Sequence, residues 1–133
     1  MASADRQKKV AFDSNVLLLA ARDKIDVFAL VKNRFGTVSF VVPEQVLSEL
    51  SLLAERRKAL AREFAVVKKM MEANDCKAVP VLAGNADDAL FALSRDCLVF
   101  SSDRLLGKRI KNDNGAIIYL RKKRLLESAG LPE

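Results

Sequence analysis

The sequence predicts an α/β domain in which a central parallel sheet is covered by helices on both faces, and three observations predict it. Strand-like runs of β-branched and aromatic residues alternate with helix-period apolar stripes along the whole chain. Asp, Asn, Ser, Gly and Pro punctuate the junctions between them. The chain has 133 residues, 50% apolar and 30% charged, which is enough for one core and too apolar for general disorder. Residues 1–133 therefore read as a single domain, without repeats, low-complexity stretches or linkers.

Lys8 to Phe12 is a short β-like run, and Asp13-Ser14-Asn15 supplies turn or N-cap chemistry into an apolar helix. Ile25, Phe28, Val31 and Phe35 recur at helical spacing until Gly36 stops them. Thr37 to Val42 is the clearest strand, followed by Pro43 at a first helical position and the stripe Val46, Leu47, Leu50, Leu53. A second helical pattern runs from about Glu55 to Ala73. Lys77 to Leu82 is an extended piece that Pro80 restricts to an edge or a loop. Gly84-Asn85 caps a helix over Ala86 to Ser94, Leu98 to Phe100 is a buried strand, and Ser101-Ser102-Asp103 opens a short helix from Leu105 to Ile110. Ala116 to Tyr119 is the expected last strand.

Composition excludes several chemistries. With no His, neither Ser-His-Asp nor Cys-His catalysis is open, and no imidazole can bind zinc. Two cysteines, Cys76 and Cys97, are too few for an all-thiolate zinc site and read as reduced packing groups. No apolar run approaches the roughly 20 residues that span a bilayer, so the expectation is a cytoplasmic protein without a membrane partner. The net charge of +6 is uneven. Between Arg104 and Arg124, eight basic residues (Arg104, Lys108, Arg109, Lys111, Arg121, Lys122, Lys123, Arg124) face one acid, Asp113, a net of +7 on an otherwise near-neutral body. Such a segment suits a polyanion, although a solvated basic tail has the same composition.

In an open parallel sheet the ligand site lies beyond the carboxyl ends of the strands. Asp13 directly follows the first strand there, and Asp103 follows the Leu98–Phe100 strand. Glu49 borders the apolar stripe of its helix, and Asp88, with Asp87 beside it, begins another. Each has a purely structural reading: Asp13 as an Asx turn or N-cap, Asp88 as partner of an Asn85 cap, Asp103 as a helix-dipole charge, Glu49 as a solvated residue. If the four converge, a cation is required. Two carboxylates about 4 Å apart repel by roughly 4 kcal/mol at an effective dielectric of 20, and a hard ion such as Mg2+ or Mn2+ suits oxygen donors without His or Cys.

The stretches Phe12–Leu18, Val42–Leu50, Asn85–Ala92 and Val99–Leu106 resemble, in order and over nearly the whole chain, the four acidic motifs of PIN-domain ribonucleases. The resemblance implies a three-layer α/β/α PIN-like domain, Mg2+ or Mn2+ dependence and endonucleolytic cleavage of single-stranded RNA. It places Asp13, Glu49, Asp88 and Asp103 at the catalytic, metal-binding positions. Asn15 then orients Asp13 or a water, Ser101 fills the Ser/Thr position before the last acid, and Asp87 stands behind Asp88. The basic segment would bind the RNA. The closing Gly115–Arg124 resembles archaeal PIN proteins similar to those that process ribosomal RNA, with a ribosome-assembly partner. The alternatives are a VapC-type toxin held by an antitoxin, with homodimers common to the family, and a catalytically inert RNA-binding module. A small-molecule phosphatase fits less well, because the chain has no Gly-rich phosphate loop.

Overall fold

Val10, Ala11 and Phe12 are consecutive apolar residues without alternation, and only a strand covered on both faces accommodates them. In the computed structural model, which describes residues 9–122 and 125–130, they form β1 (Lys9–Phe12) at the middle of a six-stranded sheet. The order is β3 (Lys77–Val79), β2 (Ser39–Pro43), β1, β4 (Leu98–Phe100), β5 (Ile117–Arg121), β6 (Leu125–Ala129). The first five are mutually parallel and β6 runs antiparallel to β5. Six helices connect them: α1 (Ser14–Asp23), α2 (Val27–Phe35), α3 (Glu44–Arg56), α4 (Lys58–Ala73), α5 (Ala86–Leu93) and α6 (Arg104–Asn112).

Because β1 lies between β2 and β4, the chain leaves it first toward one side of the sheet and later returns on the other. The carboxyl ends of β1 and β4 thus form a topological switch point, where α/β sheets open a crevice. Register makes the ends coincide. Phe12 stands opposite Phe100, and the Asp13 amide donates to the Phe100 carbonyl at 3.0 Å, which extends the ladder by one residue. The core beneath is aromatic: the Phe12 ring lies 4.7 Å from Phe28, 5.6 Å from Phe40 and 5.5 Å from Phe100.

The local signals act where the sequence places them. Gly36, with φ of 80°, ends α2 and returns its amide to the Lys32 carbonyl at 2.8 Å. β3 is an edge strand that stops one residue before Pro80. Pro43, expected inside the helix, instead closes β2 in an extended conformation and α3 begins at Glu44. The pattern from Glu55 divides at Arg57, whose extended backbone separates α3 from α4.

The main correction concerns the C-terminal end. Ala116–Tyr119 is not the last strand: β5 continues to Arg121, the chain turns at Lys122 with φ of 55°, and β6 folds back on it, making the sheet mixed. The cationic run at 121–124 masked the hairpin, in which β6 contributes the buried Leu126 and β5 the buried Ile117 and Ile118. α2 holds this strand from the side, as Arg34 donates to the Leu126 carbonyl at 2.7 Å and to Ser128 Oγ at 2.9 Å. Among the described residues no helix is long and apolar enough to cross a membrane.

Phe12 joins the sheet to three other rings at the point from which Asp13 leaves. Phe12→Ala is expected to cost about 3–5 kcal/mol of unfolding free energy, measured by urea titration followed by circular dichroism.

Candidate active site

The first turn of α1 begins on Asp13, which is 4% exposed and serves as the helix N-cap. Its Oδ1 accepts the Ser14 amide at 2.7 Å and its Oδ2 accepts the Ser101 hydroxyl at 2.7 Å. Ser101, buried just past β4, also accepts the Asp103 amide at 3.1 Å, so one hydroxyl joins the two strand-end acids. Asp103 caps α6 through Oδ1, which takes the Leu105 and Leu106 amides at 2.9 and 3.2 Å. Asp13 is thus the N-cap of its structural reading, Asp103, read as a helix-dipole charge, also caps its helix, and each retains a second carboxylate oxygen outside its cap.

Glu49 reaches the same end of the sheet from α3. The Ser14 hydroxyl donates to Glu49 Oε1 at 2.5 Å and lies 3.4 Å from Asp13 Oδ1. The Ser14 hydroxyl thus links Asp13 and Glu49, while Asn15 is exposed and, among the described residues, makes no hydrogen bond to Asp13. The neighbouring sequence position carried the signal, a hydroxyl residue adjacent to the acid.

Asp87 and Asp88 take different directions. Asp88 Oδ1 accepts Arg109 at 2.7 Å, and its Oδ2 lies 3.3 Å from the Asn85 amide nitrogen that donates to it. Asn85 Oδ1 in turn accepts the Asp88 amide at 2.8 Å, the cap partnership anticipated as its structural reading. Arg109 is also stacked 4.1 Å from the Phe91 ring centroid, which fixes α5 to α6. Asp87, one residue earlier, feels Asp103 and Glu49 as well as Asp88, and it is Asp87 and Glu49 that act on Asp13.

Gln45, which sequence reasoning missed, steadies this helix start. Its Nε2 donates to the Val81 and Ala83 carbonyls at 2.6 and 2.9 Å, tying the loop before Asn85 to α3.

Burial and neighbouring acids both act on these carboxyls. Burial, more than any other cause, raises the Asp13 carboxyl above its ordinary range; Asp87 and Glu49 add to the rise, while the Ser101 hydroxyl and Ser14 amide oppose it. Asp87 is raised by burial first and then by Asp103, Glu49 and Asp88, with Arg109 opposing. Among the described residues no group of three or more Cys, Asp or Glu side chains is arranged closely enough to hold a metal ion. The acids near this end of the sheet are oxygen donors, the class of ligand that a hard divalent cation takes, and Asp88 is paired with Arg109.

The six described cations of the C-terminal segment do not form one surface. Arg104, Lys108 and Lys111 share a face of α6 at helical spacing. Arg109 points to Asp88, and Arg121 pairs with Glu127 at 3.0 Å across the hairpin. Lys122 is exposed at the turn, and Lys123 and Arg124 lie outside the described residues.

A family model described as a PIN like domain matches residues 10–123. The chain belongs to the PIN-like domain family. Its fold is similar to that in the structure of the PIN domain endonuclease Utp24, with a TM-score of 0.74, 18% identity and 96% of each chain covered. No curated protein matches the sequence significantly. At that identity the PIN-like domain shares an architecture with the solved structure, and its site must be judged on its own residues.

The raised Asp13 predicts a pH-dependent stability. A carboxyl whose folded pKa lies above its unfolded value, about 3.9, favours folding while protonated and loses that contribution as pH rises through the folded value. Asp13→Asn keeps a capping oxygen and removes the charge. In chelator, the variant is expected to melt higher than the parent at pH 7, with the difference shrinking toward pH 4, as read by differential scanning calorimetry.

Proposed function

We propose that this PIN-like domain is a divalent-cation-dependent endoribonuclease that hydrolyses phosphodiester bonds of single-stranded RNA. The observation that carries the reading is Asp13: a buried carboxylate at the carboxyl end of β1, held at both oxygens by Ser14 and Ser101, with Glu49, Asp87 and Asp103 around it. Membership in the PIN-like family supports it, as does the similarity to a protein described as an endonuclease.

Asp13, Asp103, Asp87 and Glu49 would hold Mg2+ or Mn2+, with Asp87 in the part the sequence motif assigns to Asp88. A bound divalent ion supplies charge neutralisation at the scissile phosphate and lowers the pKa of a water to a usable range. The protein's own residues do the positioning. Ser101 Oγ keeps Asp13 Oδ2 beside the Asp103 backbone, Ser14 holds Glu49 over the end of β1, and the caps leave one oxygen of Asp103 turned outward. Arg109 neutralises Asp88 and so withholds that carboxylate from the site. A role in processing ribosomal RNA is supported by the resemblance of Gly115–Arg124 alone.

Cleavage of a labelled single-stranded RNA in Mn2+ is the test. Asp13→Asn and Asp103→Asn, both of which retain a capping oxygen, are expected to lose activity by about 10²-fold or more, and Ser101→Ala by about 10- to 100-fold. Unchanged cutting by the first two variants refutes the proposal.

The adjacent acids separate two assignments. Asp87→Asn is expected to reduce cleavage far more than Asp88→Asn, whereas Asp88→Asn lowers the melting temperature by releasing Arg109. Thermal shift supplies an independent readout: saturating Mn2+ at about 100 times its Kd stabilises the parent by about 2.7 kcal/mol and leaves Asp13→Asn nearly unshifted.

A further inference from the structure

α6 approaches the sheet closely at Gly107, where an added Cβ would stand 2.7 Å from Ile117 Cδ1. The bare helix surface seats α6 low on β5, and the β5–β6 hairpin rises beside it. Between them lies a groove of about 830 Å³. One end is formed by Ser101, Ser102 and Asp103, the edge of the acidic site, and the groove is lined further along by Lys111 on α6 and by Arg121 and Lys122 at the hairpin tip.

Its charge is one-sided. Arg104, Lys108 and Lys111 line it from α6 at positions i, i+4 and i+7, and Lys122 lines it from the hairpin. Among the described residues none of these four has an acidic partner. The acid on the hairpin wall, Glu127, is already engaged by Arg121 at 3.0 Å and by the Tyr119 hydroxyl at 3.3 Å. Tyr119 and the 79%-exposed Leu105 add apolar surface among the cations. Spaced cations interleaved with an aromatic ring, along a groove that leads from a phosphodiester-cleaving site, match one flank of a single nucleic-acid strand.

We infer that the groove between α6 and the β5–β6 hairpin is the binding channel for one flank of the RNA strand, with Arg104, Lys108, Lys111 and Lys122 contacting its phosphates. This rests on the nuclease reading and, among the six described cations of the basic segment, selects these four and sets aside Arg109 and Arg121, whose charges are used within the protein. The four contacts contribute a log–log salt slope for single-strand binding of about −0.7 × 4, or roughly −3.

The experiment measures fluorescence-anisotropy binding of an oligouridine strand long enough to cover the groove, alongside Mn2+-dependent cleavage, for the full chain and three variants. Lys108→Ala/Lys111→Ala is expected to weaken binding about tenfold and to reduce the salt slope by about 1.4, with the melting temperature unchanged. Lys68→Ala/Lys69→Ala, on α4 away from the groove, is expected to change neither. Asp13→Asn is expected to bind with the parent's slope while failing to cut. Unaltered binding and slope in the Lys108/Lys111 variant, or equal loss in the Lys68/Lys69 variant, overturns the channel even if cleavage still requires Asp13. An Asp13→Asn protein that cuts normally overturns the nuclease reading while the salt slope still judges the groove. Polyglutamate competing as strongly as oligouridine, per charge, overturns the assignment to a nucleic-acid strand in favour of an acidic protein.

Discussion

Asp13 is the residue on which the open end of the sheet depends. Its amide continues the β1–β4 ladder, one carboxylate oxygen starts α1, and the other is held by Ser101 at the end of β4. Three elements therefore share one side chain, and a charged group that burial disfavours is retained in a 4%-exposed position by the bonds it accepts. The neighbouring acids could not be crowded there by hydrophobic packing alone. Each is brought by a separate local device: Asp103 by the cap of α6, Asp87 by the cap of α5, and Glu49 by the Ser14 hydroxyl.

These devices also explain how like charges coexist without collapse of the local fold. Cap bonds to backbone amides favour the ionised form and hold carboxylates at helix starts, where the helix dipole is favourable. Arg109 removes one carboxylate from the set, and its stacking on Phe91 keeps α5 and α6 in fixed relation. The remaining charge is what a divalent ion would neutralise, so the stability and the chemistry of the site are linked through the same groups.

On the far side of β4 the opposite sign prevails. Gly107 lets α6 settle against β5, and the antiparallel β6 builds a wall that a purely parallel sheet would lack. Arg34 from α2 anchors that wall through the Leu126 carbonyl and Ser128. Acidic crevice and basic groove are thereby two consecutive stretches of one surface, meeting at Ser101–Asp103.

Much of this was legible along the chain, because strand and helix periods, caps and breakers act over a few residues. Leu98–Phe100 as a strand, Gly36 as a helix stop, Pro80 beyond an edge strand and Asp13 at a strand end all follow from local chemistry. What the sequence by itself determined was the α/β alternation, the exclusion of His- and thiolate-based sites, and the presence of acids at the ends of β1 and β4. That Asp88 pairs with Arg109 was beyond it, since adjacent helical residues point about 100° apart and Arg109 is distant in sequence. The same holds for the Ser14–Glu49 hydrogen bond, for the hairpin hidden in a cationic run, and for the ion pairs that engage Arg109 and Arg121. Only the tertiary structure decided these, because each depends on a partner from another element, and such partners are set by packing rather than by period.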